Sequence, residues 1–118
     1  MTTIQFSSGK KNNINPSVVD ISCQDLKAHL AEVHVIDVRR PDEWDGELGH
    51  IKEATLITLD TLPANVAKLP KDKPLVFVCK SGGRSLNAAT FALANGFTEV
   101  FNLAGGMTAW ASTKDTSK

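Results

Sequence analysis

The chain is poor in cysteine, with only Cys23 and Cys79 in 118 residues. Two are too few for a disulfide framework, and the first residues lack the charged, apolar and small-residue order of a secretory signal. A reducing, cytoplasmic setting is therefore expected. A single domain of this size buries about two-thirds of its unfolded surface and needs no covalent staple. No apolar run approaches the ~20 residues of a membrane-spanning helix. An excess of charge is missing too, since thirteen basic residues balance thirteen acidic ones. Without a global field, neither nucleic acid nor an anionic membrane is expected as a partner. The lysines of Lys71-Asp72-Lys73 read as a solvated loop, because an acid interrupts them and no aromatics stand ready for base stacking. Internal repeats are absent. Binding is expected to be local, at one site.

The stretch that stands out is Leu75-Val76-Phe77-Val78-Cys79-Lys80-Ser81-Gly82-Gly83-Arg84-Ser85. Its apolar half follows Pro74, is β-branched and aromatic, and shows no alternation, which is the mark of a strand covered on both faces in a parallel sheet. Cys79 then stands at the carboxyl end of that strand. From Arg84 the pattern changes to Leu86, Ala89, Thr90 and Leu93 at helical spacing, closed by Asn95-Gly96. The intervening loop thus sits at a helix amino terminus. Gly82 and Gly83 permit positive φ, so successive amides can converge as an anion-binding nest. Helix dipole, loop amides and the cations Lys80 and Arg84 all favour a thiolate. Such surroundings lower a cysteine pKa from about 8.5 into roughly 3.5–7.5. The bland alternative, a cysteine that only fills core space, does not explain glycines and two cations directly after it.

The rest of the chain alternates strands and helices. Residues 18–21 read as a short strand, and Ser22 with Asp25 as an acidic capping box opening a helix with Leu26 and Leu30. Cys23 falls in its first turn, as a packing residue or, alternatively, a resolving thiol for Cys79. Residues 33–38 repeat the buried-strand signature, and a parallel sheet would bring Asp37 and Arg39 to the edge that carries Cys79. Pro41 starts a short helix with Glu43 and Trp44, broken by Gly46 and Gly49. Residues 55–59 read as a strand, Asp60 as the cap of a helix carrying Val66 and Leu69, residues 100–103 as the last strand, and Gly105-Gly106 as the turn into a helix ending near Trp110. The expected architecture is α/β, with about five mostly parallel strands and helices on both faces. Residues 1–16 are expected as a flexible polar arm, 17–111 as the domain and 112–118 as a polar tail.

Cys79-Lys80-Ser81-Gly82-Gly83-Arg84-Ser85 resembles the active-site loop of the single-domain rhodanese sulfurtransferases, whose pattern is C-x-x-G-x-R-S. Asp37-Val38-Arg39 with Glu43 is similar to the D-x-R…E segment of that family, Gly49-His50-Ile51 to its G-H-I turn, and Gly105-Gly106-Met107-Thr108-Ala109-Trp110 to its closing G-G-x-x-A-W. The resemblance spans roughly residues 18–110. It implies a rhodanese-like fold and transfer of a sulfane sulfur, from a donor such as thiosulfate or a persulfide to a thiol, a cyanide-like acceptor or a sulfur-accepting protein, through a persulfide on Cys79. Lys80, Ser81, Gly82, Gly83 and Arg84 would bind substrate. Asp37, Arg39 and Ser85 would support the site, Arg39 pairing with Glu43 or Asp37, and His50 would belong to a structural turn. No metal or organic cofactor is implied. Glu53 departs from the glycine common at its position. Two rival classes remain: a sulfur-carrier or interaction module without turnover, and a cysteine phosphatase or arsenate reductase. Those phosphatases use C-x5-R, whereas four residues separate Cys79 from Arg84.

Overall fold

A computed structural model describes residues 8–116, with side chains through Ser112. The strands are β1 (Lys10–Lys11), β2 (Val19–Ile21), β3 (His34–Asp37), β4 (Thr55–Leu56), β5 (Leu75–Val78) and β6 (Val100–Leu103). They form one sheet in the order β1-β2-β6-β5-β3-β4. Every pair is parallel except β1 with β2. The helices are α1 (Cys23–Ala28), α2 (Pro41–Trp44), α3 (Leu62–Asn65), α4 (Gly83–Ala94) and α5 (Gly106–Thr116), with short 3-10 turns between several of them. The α/β class with a mostly parallel sheet matches the sequence reading.

β5 is central, and all four of its residues are buried. Its side chains alternate between two cores. Leu75, Phe77 and Cys79 join Leu62 of α3 and Leu86, Ala88, Ala89 and Ala92 of α4 on one face. Val76 and Val78 join Cys23 and Leu26 of α1 and Met107 and Trp110 of α5 on the other. Burial on both faces is why the strand carries no polar alternation.

Four local expectations are corrected. Residues 8–16, expected to lie as part of a loose arm, fold back onto the sheet. Lys10 and Lys11 pair with Asp20 and Val19, and Asn12 Nδ2 donates to both carboxylate oxygens of Asp20 at 3.1 and 3.2 Å. This contributes the sixth strand; residues 1–7 of the arm lie outside the described residues. The capping box at α1 is half formed. Ser22 Oγ accepts from the Asp25 amide at 3.2 Å, but the Asp25 carboxylate takes the Ser8 amide at 2.7 Å, and Ser8 Oγ accepts from Ser22 N at 2.9 Å. Asp60 caps no helix, because it lies inside the 3-10 turn Leu59–Thr61, whose N-cap is Thr58. Lastly, α5 continues past Trp110 to Thr116, into the stretch expected as a tail. Among the described residues no helix is long and apolar enough to cross a membrane.

Candidate functional site

β3 and β5 run parallel and adjacent, with Asp37 opposite Val78. Their carboxyl ends therefore deliver Asp37-Val38-Arg39 and the Cys79 loop to one edge of the sheet. At the first exit, the Arg39 guanidinium and the Asp37 carboxylate are both 1% exposed. Arg39 Nη2 donates to Asp37 Oδ2 at 2.8 Å and Nε to Oδ1 at 3.0 Å. The remaining donors reach the carbonyls of Glu43 at 3.2 Å and Gly49 at 2.8 Å. Asp37 is thus the ionic partner of Arg39, and Glu43 serves it only through its backbone. The buried pair ties β3 to α2 and to the turn at Gly49. His50 closes that turn by stacking on Trp44, ring centroids 3.6 Å apart, while Nδ1–H donates to the Trp44 carbonyl at 3.1 Å.

At the second exit the chain turns around the sulfur. Gly82 adopts φ +117°, a left-handed conformation that glycine takes at least cost, and forms the N-cap of α4. Gly83, expected to share that freedom, is simply the first residue of the helix. The Gly82 amide donates to Cys79 Sγ at 3.0 Å, and Ser85 Oγ lies 3.3 Å from it. Burial pushes the Cys79 thiol up, but hydrogen bonds from the Ser85 hydroxyl and the amides of Ser85, Gly82 and Ser81 outweigh it, so the pKa falls below its ordinary value. These surroundings favour the thiolate, the nucleophilic form of a cysteine.

The two cations do not act alike. Arg84 is bound fork to fork by Glu43, Nη1 to Oε1 at 2.6 Å and Nη2 to Oε2 at 2.8 Å. Its charge is therefore largely answered before any substrate arrives. Glu43 is held at a pKa of about 2, chiefly by its hydrogen bonds from Arg84. Lys80 instead lines an open recess of about 370 Å³ beside the loop, together with Arg39, Glu43, Glu47, Leu48 and Thr108. Amides and a hydroxyl are the main groups that favour the Cys79 thiolate, and Arg84 also couples to the sulfur through its charge.

α5 holds the loop from behind. The Met107 amide donates to the Cys79 carbonyl at 2.8 Å and the Thr108 amide to that of Lys80 at 3.1 Å. Gly106, at φ +56°, lets this approach happen, because a Cβ there would strike both carbonyls. Cys23 takes no part in the site. It lies in the core on the opposite face of the sheet from Cys79, and burial pushes its thiol up despite Lys27.

One buried group went unnoticed in the sequence. Asn102, 4% exposed in the middle of β6, contacts Ser85 Oγ through Oδ1 and donates from Nδ2 to Asp20 Oδ1 at 3.0 Å. A polar side chain within an apolar four-residue strand was the available signal, since buried polar groups in such strands must find partners.

Residues 22–113 match the model of the rhodanese-like domain. The chain belongs to the rhodanese-like family. A sulfurtransferase of Allochromatium vinosum is 34% identical over 97 residues, covering 80% of this chain and 89% of that protein. A thiosulfate sulfurtransferase of Shewanella oneidensis is 35% identical over 78 residues, covering 66% and 75%. Among solved structures, a rhodanese-related protein of Thermoplasma volcanium superposes with a TM-score of 0.72 at 28% identity, covering 80% of this chain and 91% of that one. The rhodanese-like match begins after Asp20, so the β1–β2 hairpin precedes it.

Proposed function

We propose that this protein is a sulfurtransferase that carries a sulfane sulfur on Cys79. The observation that supports it most is the placing of the Gly82 amide at 3.0 Å and the Ser85 hydroxyl at 3.3 Å from Cys79 Sγ, at the amino terminus of a twelve-residue helix. In the first half-reaction the Cys79 thiolate attacks the outer sulfur of thiosulfate. A sulfur–sulfur bond forms to Cys79 as the donor's own breaks, and its electron pair leaves with sulfite. In the second, a cyanide or thiolate acceptor attacks the outer sulfur of the persulfide and the Cys79 thiolate departs. Two half-reactions on one residue give ping-pong kinetics.

The same amides that hold the thiolate would hold the negative terminal sulfur of the persulfide, already placed where charge appears. Lys80, beside its recess, would steer the anionic donor and the departing sulfite. Arg84, tied to Glu43, would fix the loop and add charge at its rim, with Asp37 and Arg39 bracing the floor. A reducing compartment such as the cytoplasm suits a mechanism that needs Cys79 free.

Intact-mass spectrometry after exposure to thiosulfate tests this reading. The wild type is expected to gain the mass of one sulfur atom, located on Cys79 and discharged by cyanide. No gain with thiosulfate or with a small persulfide donor overturns it.

A further inference from the structure

We infer that Asn102, oriented by Asp20, is a positioning residue that competes with Cys79 for the single proton of the Ser85 hydroxyl. The inference rests on Cys79 being the reacting group, as proposed above. Asp20 and Asn102 face each other in register on β2 and β6. The Asp20 carboxylate can only accept, so Asn102 must present its NH2 to it, at 3.0 Å. The Asn102 carbonyl oxygen is then left facing Ser85 Oγ. Two oxygens in contact need a proton between them, and only Ser85 can supply it. Asn12, from the segment beside β1, holds Asp20 in place from the far side.

When Cys79 is a neutral thiol, this arrangement satisfies every group. The S–H donates to Ser85 Oγ across 3.3 Å, Ser85 donates to Asn102, and Asn102 donates to Asp20. When Cys79 is a thiolate, sulfur needs donors. Ser85 can serve it only by turning away from Asn102 and leaving a buried amide oxygen without its proton. The Gly82 carbonyl, 3.2 Å from Ser85 Oγ, is a further claimant. The loop amides thus favour the thiolate, while the Asn102–Asp20 pair favours the thiol.

The balance has a chemical use, because a thiolate loses intrinsic nucleophilicity as its pKa falls and attacks best when that pKa lies near the ambient pH. The outer end of the relay is also accessible. Asn12, Asp20 and Asn102 line a recess of about 280 Å³ under Gly82 and Gly83. Asn12 and Asp20 both lie before the rhodanese-like match at residues 22–113.

Other charged groups around the loop bear on the same titration. They are Lys80 beside Cys79, Arg84 with Glu43 of α2, and the Asp37–Arg39 pair at the end of β3. From α5 the groups facing the loop are the amides of Met107 and Thr108. Asn102→Leu removes the competing acceptor and changes none of these charges.

The test is the pH profile of alkylation at Cys79 by iodoacetamide, in a Cys23→Ser background, which needs no sulfur donor and so stands even if sulfur transfer fails. Asn102→Leu is expected to lower the midpoint by about half a unit to one unit, and Ser85→Ala to raise it. In the Ser85→Ala background Asn102→Leu is expected to change nothing. An unchanged or raised midpoint in folded Asn102→Leu, or the same drop without the hydroxyl, overturns the inference. If Asn102→Leu does not fold, Asp20→Ala at the outer end carries the test. Its drop must vanish with Ser85→Ala, whereas a drop that persists is a direct charge effect and overturns the orienting role.

Discussion

The two central strands leave the sheet side by side and meet different ends. β3 exits into a carboxylate and a guanidinium that neutralise each other at 1% exposure and are wrapped in backbone carbonyls. β5 exits into a sulfur ringed by hydrogen-bond donors with no carboxylate against it. Both exits are buried and polar, and both hold charge by the same kind of bond. The first is internally complete and can only support. The second sets the Gly82 amide and the Ser85 hydroxyl against one sulfur, an arrangement able to stabilise negative charge there. Glu43 spans them, giving its carbonyl to Arg39 and its carboxylate to Arg84.

The sharpest way to separate the exits is to empty the second. Cys79→Ser is expected to abolish transfer from thiosulfate to cyanide while thermal unfolding stays near wild type, and Cys23→Ser to leave transfer largely intact. Comparable turnover in Cys79→Ser would refute the assignment. Emptying the first exit should do the reverse. Arg39→Met leaves the Asp37 carboxylate buried without its partner, and breaking a buried pair costs about 3–5 kcal/mol. That is a large share of the roughly 5–15 kcal/mol available to such a domain, and urea unfolding measures it. A loss below about 1 kcal/mol would show that the pair is not the brace described.

Loop length comes next. One glycine inserted between Gly83 and Arg84 converts C-x4-R to the C-x5-R spacing of cysteine phosphatases. A misplacement of about an ångström costs on the order of 100-fold, so sulfur transfer should fall by that factor. The wild type should not hydrolyse an aryl phosphate, its loop being a residue short of enclosing a tetrahedral phosphoryl group. Robust Cys79-dependent hydrolysis by the wild type would overturn the sulfurtransferase reading.

The smallest effect concerns the bridge. Glu43 is depressed from an ordinary 4.5 to about 2 in the folded protein, so its contribution is complete above pH 4.5 and disappears as the pH falls towards 2. Glu43→Gln should be less stable at neutral pH and show a flatter decline across that window. Parallel curves for the two proteins would mean that Arg84 does not hold Glu43 in solution.

What the sequence disclosed depended on how local each cause was. β5 and its loop were legible because the apolar run, the glycines and the helix that follows are contiguous, and each constrains only its neighbours. The partner of Arg39 stayed ambiguous between two nearby acids until the backbone at the β3 exit placed Asp37 within reach of both Nε and Nη2. The grip of Glu43 on Arg84 joins residues 41 apart, and no local pattern announces it. β1 was missed for a related reason. Two lysines have little strand propensity, and the segment is fixed by the Asn12 side chain donating to Asp20 and the Ser8 amide donating to Asp25. The run of α5 beyond Trp110 was hidden by its polar composition, which leaves no apolar periodicity to read as a helix.

β1 has a further consequence, for the company the molecule keeps. An open sheet exposes two rows of unpaired backbone groups, and such rows recruit strands from other chains into fibrils. Among the described residues the rims are β1 and β4, each two residues long. A ladder that short gives an incoming strand little to register on. One rim is also made of two exposed lysines, so identical chains approaching there repel each other. The strands most prone to stacking, β5 and β6, lie in the interior of the sheet. Among the described strands, the apolar centre of the sheet is thus offered to a neighbour at neither rim.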